Sequence, residues 1–539
     1  GFLHLFANNN ITSSAVAGQN VNINVSDADV TLLPNATAPV TTLEGSLRDG
    51  LIRARERLDP TTPLANIIHA VTPVHQDNAT KTLVMTKQGD IAFTPGSQVT
   101  FFVPTASEFI AGRDVSNLSL SGQNLFADDI TRIQAGRDIT FNTQINSDGV
   151  VLSNDNQIQL GGSGQLQVVA GRDINLGASA GIKTIGNIYN PVLGGSGATI
   201  SIAAGLSDKV DYAGFIKKYE AKYKSQLQGL GQLSENQKSQ VLEVLLKVLF
   251  DEIKQSASAA AAVPETQRKA FYQRGFDAIA TLFPGNNYAG DLSLVFSQIK
   301  TLDGGDINVL APGGKIDVGL AGQLGSIRKT TDQLGMIVQQ QGALNALSQN
   351  DFSVNQSRVF TLGGGDIVVW SSKGSIDAGK GAKSAIAAPP PVTSVDEKGN
   401  IVTIFPPVVS GSGIQTIGNG QVTLAAPVGV VDAGEAGISG GRIVIAATAV
   451  IGVSNITSTS GTVGVPTTVS APVNLAGANS AAASATKSAS QSTDNENNKK
   501  NSDGNANKKS TVSILTSDVI GYGKCSVGDV KDGKDGCGG

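Results

Sequence analysis

The chain repeats a short phrase, Ala111-Gly112-Arg113-Asp114-Val115, which returns as Ala135-Gly136-Arg137-Asp138-Ile139 and as Ala170-Gly171-Arg172-Asp173-Ile174. After each copy, apolar residues alternate with polar ones, as at Ile139 and Phe141. Because successive residues of a strand point to opposite faces, this alternation gives one buried row of side chains. Gly and Asp bound each short run, and both residue types favour sharp corners. The phrase therefore predicts short strands joined by tight turns.

A longer unit occurs twice later in the chain. Gly304-Gly305-Asp306-Ile307 leads to Ile316-Asp317, and Gly364-Gly365-Asp366-Ile367 leads to Ile376-Asp377; a looser third copy ends at Val431-Asp432. Such a short strand buries its apolar row only when one coil stacks on the next, which also pairs backbone groups between coils. Antiparallel hairpins are the alternative, but the Asn-Gly turns that they favour are rare between these runs. We therefore expect an all-β solenoid, a parallel β-helix.

The recurring aspartates are interpreted as turn-forming, because an Asp carboxylate accepts hydrogen bonds from nearby backbone amides. Paired carboxylates such as Asp128-Asp129, or Asp306 with Asp317, would alternatively hydrolyse polysaccharide by acid–base chemistry. An active site occurs once, however, whereas Asp recurs at the predicted corners from copy to copy. The residues assigned to structural turns are Asp114, Asp138, Asp173, Asp306, Asp317, Asp366, Asp377 and Asp432.

Composition supports a thin stacked body and excludes several functions. Of 539 residues 64 are Gly, charged residues are 16% and aromatic residues 5%, where about 7% Gly and 25% charged residues are typical. The net charge of -4 does not suit a nucleic-acid binder. The three histidines, His4, His69 and His75, lie far from the two cysteines, so neither a catalytic triad nor a zinc site can be assembled. We expect no catalytic residue, metal or cofactor, and the chain is predicted not to be an enzyme.

The pattern changes along the chain and predicts six segments. The first, 1–110, is an irregular β-rich start of the β-helix with a short helix near Leu47–Leu58. Coils follow over 111–207 and again over 291–475. Between them, 208–290 has helical periodicity from about Asp208 to Phe283, which predicts an α-helical insertion between two coils, packed against the side of the stack. Residues 476–510 are poor in large apolar side chains, which predicts a disordered linker, and 511–539 form the end segment with the cysteine pair.

One stretch resembles a known family. The run from Val354 to Ile367, followed by Trp370-Ser371-Ser372 and Asp377-Ala378-Gly379, is similar to the conserved C-terminal domain of filamentous-haemagglutinin-family proteins. These proteins are the exported partners of two-partner secretion systems in Gram-negative bacteria. The resemblance extends from roughly 111 to 456. It implies a right-handed β-helix, passage through an outer-membrane β-barrel transporter, and a function in adhesion, aggregation and biofilm formation. Since no secretion domain is seen, we interpret Gly1 as the start of a fragment or a processed form.

The cysteine pair gains a role from the same resemblance. Cys525 and Cys537 match, in position and number, the C-terminal cysteines through which some members stay attached to the cell, in a disulfide-closed loop that cannot leave the transporter pore. An ordinary structural bridge and two reactive thiols remain the alternatives. The sequence thus predicts a secreted surface adhesin, tethered at the outer membrane, with polysaccharide or host-surface ligands, self-association and no nucleic-acid partner. The alternatives are a polysaccharide-degrading enzyme on the same scaffold and a stalk for toxin delivery.

Overall fold

The protein is described by a computed structural model over residues 3–24 and 80–466, with gaps at 148–149, 153, 188–192, 194–195, 207–209, 235–236, 238–240, 286, 295, 320–328, 330–332, 381–385, 388–391, 396–400 and 405–408. The short helix predicted near Leu47–Leu58, the linker 476–510 and the cysteine pair lie outside the described residues.

Three rows of parallel strands form the body of the protein, and each coil contributes one strand to each row. Successive coils pair in parallel throughout, for example Ile139 with Val115 on one side and with Ile174 on the other. Since the third row is an 11-stranded sheet, the described residues build eleven coils, and Thr462–Val463 begins a twelfth in the first row. The predicted parallel β-helix is confirmed.

The strand bounds follow the rows. The first row contains His4–Ala7, Thr82–Thr86, Ser107–Ala111, Ile130–Ala135, Gln165–Ala170, Thr199–Ala203, Ile307–Ala311, Leu344–Ser348, Ile367–Ser371, the starts of Gln421–Asp432 and Arg442–Ile451, and Thr462–Val463. The second row contains Ile11–Thr12, Ile91–Ala92, Val115–Ser116, Ile139–Thr140, Ile174–Asn175, Leu292–Ser293, Ile316–Asp317, Phe352–Ser353, Ile376–Asp377 and the ends of the same two long strands. The third row contains Asn20–Asn24, Gln98–Val103, Leu118–Gln123, Gln157–Gly161, Gly181–Gly186, Gln298–Thr301, Gly335–Val338, Arg358–Thr361, Gly413–Thr416, Ile438–Gly440 and Ile456–Ser458.

Aliphatic side chains at the same position of successive coils form the core. In the second row, Ile139, Ile174, Leu292, Ile316 and Phe352 lie in register and are fully buried in one continuous cluster. Each covers the side chain of the coil before, so burial of apolar area, the main favourable term in folding, is shared between neighbours.

The glycines of the repeated phrase are required by close packing between coils. A Cβ at Gly136 would overlap the carbonyl oxygen of Gly112, and a Cβ at Gly171 would overlap that of Gly136. Both have ordinary negative-φ backbone, unlike Gly205 at the equivalent corner of the next coil, where φ is +70°. The phrase therefore uses Gly for its missing side chain, whereas some corners also use its access to positive φ.

The helical insertion interrupts a single coil. It leaves after the first-row strand Thr199–Ala203 and returns at the second-row strand Leu292–Ser293. The sequence predicted a position between two coils, and the insertion lies instead at a corner within one coil. The two positions cannot be told apart from sequence, because both interrupt the strand pattern in the same way. The helices are α1 (Tyr212–Tyr219), α2 (Lys224–Leu227), α3 (Leu242–Ala261) and α4 (Arg268–Leu282), with short 3-10 turns at Leu230–Gln232 and Glu265–Gln267.

Helices α3 and α4 cover the outer surface of the first row. Leu310, Leu347 and Trp370 lie in register on successive strands and point away from the core into a second cluster with both helices. Trp370 is fully buried, with edge-to-face contacts to Tyr272 and Phe276 at 6.0 and 5.3 Å between ring centres. Its Nε1–H donates to Ser372 Oγ at 3.1 Å.

A charged network links the helices to one another. Glu252 on α3 is 3% exposed and accepts from Arg274 on α4 (Nε–Oε2 2.7 Å, Nη2–Oε1 3.0 Å) and from Lys222 Nζ at 2.5 Å. Tyr223 O–H also donates to it. Burial would raise the pKa of Glu252, but the hydrogen bonds from Arg274 and Lys222 override it and lower the pKa to about 2.

The side hairpins leave the stack at the corner between the second and third rows. They are the antiparallel pairs Gln144–Ile145 with Val151–Leu152, Ile386–Ala387 with Val409–Ser410, and Val392–Val395 with Ile401–Ile404. A 3-10 turn, Val453–Asn455, follows the last long strand. Among the described residues, none of the helices has the length and apolar character needed to span a bilayer.

Candidate functional site

A ladder of acidic side chains follows the corner that precedes the second row. Each carboxylate Oδ1 accepts the backbone N–H of the equivalent residue one coil later: Asp90 from Asp114 (3.0 Å), Asp114 from Asp138 (3.1 Å), Asp138 from Asp173 (3.1 Å), and Asp173 from Asp291 (2.9 Å). We call the aspartates Asp90, Asp114, Asp138, Asp173 and Asp291 the corner ladder. Asn10, which accepts the N–H of Asp90, precedes the set, and Asp291, which accepts the N–H of Lys315, ends it. The corner ladder satisfies backbone donors that a turn would leave unpaired.

Three arginines neutralise the corner ladder on its outer side. Each arginine donates hydrogen bonds from two nitrogens to one carboxylate: Arg113 to Asp90, Arg137 to Asp114 and Arg172 to Asp138. The Nε–Oδ1 distances are 2.9, 3.0 and 2.7 Å in that order. The hydrogen bonds from Arg113 and Arg172 lower the pKa of Asp90 and of Asp138. Asp90 and Asp138 are therefore held ionised and paired, which suits a structural role and opposes one as a general acid.

The other predicted turn residues occupy two further positions. Asp306 and Asp366 precede first-row strands and accept the N–H groups of Ala343 and Gln421, each at 2.8 Å. Asp377 and Asp432 lie within second-row strands and accept from the glycine two residues ahead, also at 2.8 Å. Asp317, at the same position, pairs with Lys315 Nζ at 2.8 Å. The eight aspartates thus fall at three different positions of the coil.

The carboxylate pairs considered for catalysis are not brought together as acid and base. Asp306 precedes a first-row strand, whereas Asp317 lies in the second row. Asp129 Oδ2 closes its own turn by accepting from the N–H groups of Leu125 and Phe126 at 2.8 and 3.0 Å. Across the part of the chain that the structure describes, His, Cys, Asp and Glu form no group of three or more that could bind a metal ion.

Sequence reasoning missed three residues of the same corner, Asp90, Asp291 and Asp351. Asp291 donates its N–H to Asp173 and accepts that of Lys315 at 2.9 Å, and Asp351 accepts that of Ser375 at 2.8 Å. Asp90 and Asp291 lack the preceding Ala-Gly-Arg, but both follow Gly and precede an aliphatic residue. That shorter signal, Gly-Asp-Ile or Gly-Asp-Leu, marks both residues, but it also occurs at Asp306 and Asp366, which precede first-row strands.

Three asparagines that begin Asn-x-Ser/Thr triplets, the acceptor pattern for N-glycosylation, are part of the scaffold: Asn117, Asn355 and Asn455. Asn117 is 1% exposed and donates to Phe93 O at 2.9 Å, while its Oδ1 accepts from Asn142 N. Asn355 donates to Gly319 O at 2.7 Å, and Asn455 to Gly434 O at 2.5 Å. Asn117 and Asn355 both have positive φ, which Asn tolerates better than most residues. In the folded protein their amide nitrogens are therefore engaged.

A polar cleft of about 400 Å³ lies where the first side hairpin leaves the stack. Stacked corner glycines, Gly18 and Gly96, leave one side without side chains, and Gly18 N donates to Gly96 O at 2.8 Å. Gln144 and Leu152, which pair across the hairpin, line the other side. A Cβ at Gly96 would lie 2.7 Å from Gln144 Nε2, so a larger residue at 96 would fill the cleft.

Packing and hydrogen bonds fix this cleft, named the hairpin cleft below. Val151 anchors the hairpin in a buried cluster with Ala178 and Phe296. Gln98 Nε2 donates to Asp155 O at 3.1 Å and so ties the second coil to the end of the hairpin segment. The cleft is therefore a preformed feature whose lining comes from the first, second and fourth coils.

One comparison with known proteins gives a match, over part of the chain. Residues 364–467 match the family model described as filamentous haemagglutinin family outer membrane protein. The resemblance to filamentous haemagglutinins is confirmed. No curated protein and no solved structure matches the chain.

The match to filamentous haemagglutinins covers the last coils of the stack. It begins just before the strand Ile367–Ser371 and includes Trp370, Asp377 and Asp432, whereas the corner ladder and the hairpin cleft lie outside it. The family description names an outer membrane protein, which agrees at a coarse level with the predicted surface location.

Proposed function

We propose that this filamentous haemagglutinin-type chain is a secreted cell-surface adhesin that attaches bacteria to matrix polysaccharide or to a host surface. The observation that carries the proposal is the family match over residues 364–467, which is continuous with the same stack of coils. A β-helix is a rigid carrier that presents loops along its side. Many weak contacts on such a carrier add to a strong attachment, and self-association between carriers would add further.

The adhesin is inferred to act by binding and not by catalysis. Support comes from the corner ladder, whose carboxylates are committed to backbone N–H groups and arginines. A polysaccharide-degrading enzyme would need an acid and a base sharing one groove. No described feature favours that function or a toxin stalk over adhesion.

Retention at the cell is proposed to depend on the C-terminal end. After export through an outer-membrane β-barrel transporter, residues 476–510 act as a tether, and a Cys525–Cys537 disulfide in 511–539 closes a loop that stays in the pore. The proposal rests on the family resemblance, since both cysteines lie outside the described residues.

Adhesion is tested by comparing cells that express the chain with cells lacking it, for attachment to purified matrix glycan and to host-cell layers. We expect a loss of attachment without the chain and its recovery on complementation. Equal attachment by both strains would refute the adhesin function.

Retention is tested separately by non-reducing fractionation of cells carrying Cys525→Ser. The variant should appear in the medium while the parent stays with the cells. A variant as cell-associated as the parent would disprove the anchor and would leave the proposed adhesin function unaffected.

A further inference from the structure

We propose that the hairpin cleft is a binding site for a neutral glycan segment. The inference rests on the proposed adhesin function and deepens it by naming a site and the chemical class of its ligand.

The first argument is the balance of donors and acceptors. Four of the residues that line the cleft carry side-chain amides: Asn20, Gln98, Gln144 and Asn154. An amide both donates and accepts, as a sugar hydroxyl does, so the two groups match in either orientation. Within the described ranges, the amides of Asn20 and Gln144 have no hydrogen-bond partner in the protein, so a ligand can use them.

The second argument is the distribution of charge and apolar surface. None of the residues lining the cleft is Lys or Arg, and Asp155 supplies its one formal charge. An anionic polysaccharide, a phosphate or a nucleic acid would therefore meet repulsion from Asp155, with no cation among the lining residues to offset it. Leu152, 36% exposed, offers an aliphatic wall for the C–H face of a sugar ring. The volume of the cleft, about 400 Å³, lies in the range of small-ligand sites.

The third argument is preorganisation. The hairpin is held by buried Val151, and Gln98 is oriented by its bond to Asp155 O. A ligand therefore meets polar groups already ordered, which lowers the entropic cost of binding.

The test is titration calorimetry of the full chain with maltohexaose, cellohexaose and chitohexaose, and with hyaluronan hexasaccharide as the anionic probe. We expect at least one neutral probe to bind with an affinity on the order of millimolar. The double variant Asn20→Ala, Gln144→Ala should weaken that binding about tenfold or more, since two hydrogen bonds are lost. The control Ile145→Ala changes the neighbouring, 57% exposed residue on the opposite hairpin face and should stay within about twofold.

A second variant keeps the test decisive if the double variant does not fold. Leu152→Arg places a bulky cation in the cleft at an exposed position and should also abolish binding of the neutral probe. The proposal is overturned if no neutral probe binds, if hyaluronan binds more tightly, or if the cleft variants bind like the parent. If cells still attach through the protein in that case, the cleft fails while the adhesin function stands; if they do not attach, the adhesin function itself fails.

Discussion

The indole of Trp370 occupies the space that a side chain at Gly275 would need. A Cβ at position 275 would lie 2.7 Å from Cη2 and 2.9 Å from Cζ3 of Trp370. Gly275 N also donates to Ser256 Oγ at 3.1 Å, which fixes the distance between α4 and α3. The helical insertion is therefore fitted to the outer face of the stack by one large and one absent side chain.

Gly275→Ala should destabilise the insertion by about 1–3 kcal/mol, the usual cost of overpacking. Helix propensity alone would give the opposite sign, since Ala is favoured over Gly by about 1 kcal/mol. Thermal unfolding followed by fluorescence of Trp370, the single Trp of the chain, measures the effect at the contact itself. The matched control is Gly231→Ala, where the nearest atom is Ile216 Cγ2 at 3.8 Å. A Gly275→Ala protein that melts at or above the parent temperature would show that the contact is not limiting.

Gly136→Ala should be far more damaging than an ordinary Gly→Ala change in a strand. Its Cβ would overlap the Gly112 carbonyl oxygen, which belongs to the backbone and cannot move aside without separating two coils. We expect a loss above about 3 kcal/mol, or failure to fold. Gly122→Ala is the control, since its nearest neighbour is Leu160 Cδ1 at 3.4 Å. Urea unfolding of both variants compares them; similar midpoints would contradict the close-packing explanation.

The stacked coils were predictable from sequence because their signal is local and repeated. The corner of Asp114 and Asp138 can be read from one phrase, and the register of Ile139 with Ile174 follows from it. The hairpin cleft was not predictable, since Gln98 meets Asp155 across 57 positions and only the number of residues per coil sets that meeting. The contact of Gly275 with Trp370 was not predictable either, because no sequence period relates an insertion to the face that it covers.

Asp114 of the corner ladder contributes to stability in two ways, through a hydrogen bond to a backbone N–H and through an ion pair, and substitutions can separate the two. Asp114 accepts the N–H of Asp138 and also pairs with Arg137. Asp114→Asn keeps an acceptor for the N–H, as Asn10 does naturally for Asp90, and should cost little because an exposed ion pair contributes little. Asp114→Ala leaves the N–H without its acceptor and should cost about 1–2 kcal/mol. Denaturant titrations at low and high salt measure both; equal losses for Asn and Ala would mean that the ion pair, and not the N–H, determines the effect.

Glu252 should make the helical insertion sensitive to acid. Its folded-state pKa of about 2 lies below the ordinary value of 4.5, so its stabilisation is fully present above about pH 5 and is lost as pH falls toward 2. The shift corresponds to about 3 kcal/mol. Glu252→Gln should destabilise the insertion at pH 7, because Arg274 loses its buried partner, and this difference from the parent should shrink at pH 3.

Helical circular dichroism during urea unfolding at the two pH values measures that difference. Glu243→Gln is the matched control on the same helix: Glu243 pairs with Lys247 at 2.7 Å in an i, i+4 arrangement, which contributes about 0.5 kcal/mol or less. Its effect should be small at both pH values. If the Glu252→Gln protein and the parent lose stability equally between pH 7 and pH 3, the acid sensitivity arises from other carboxylates, and the network of Glu252, Arg274 and Lys222 does not hold the helices together through charge.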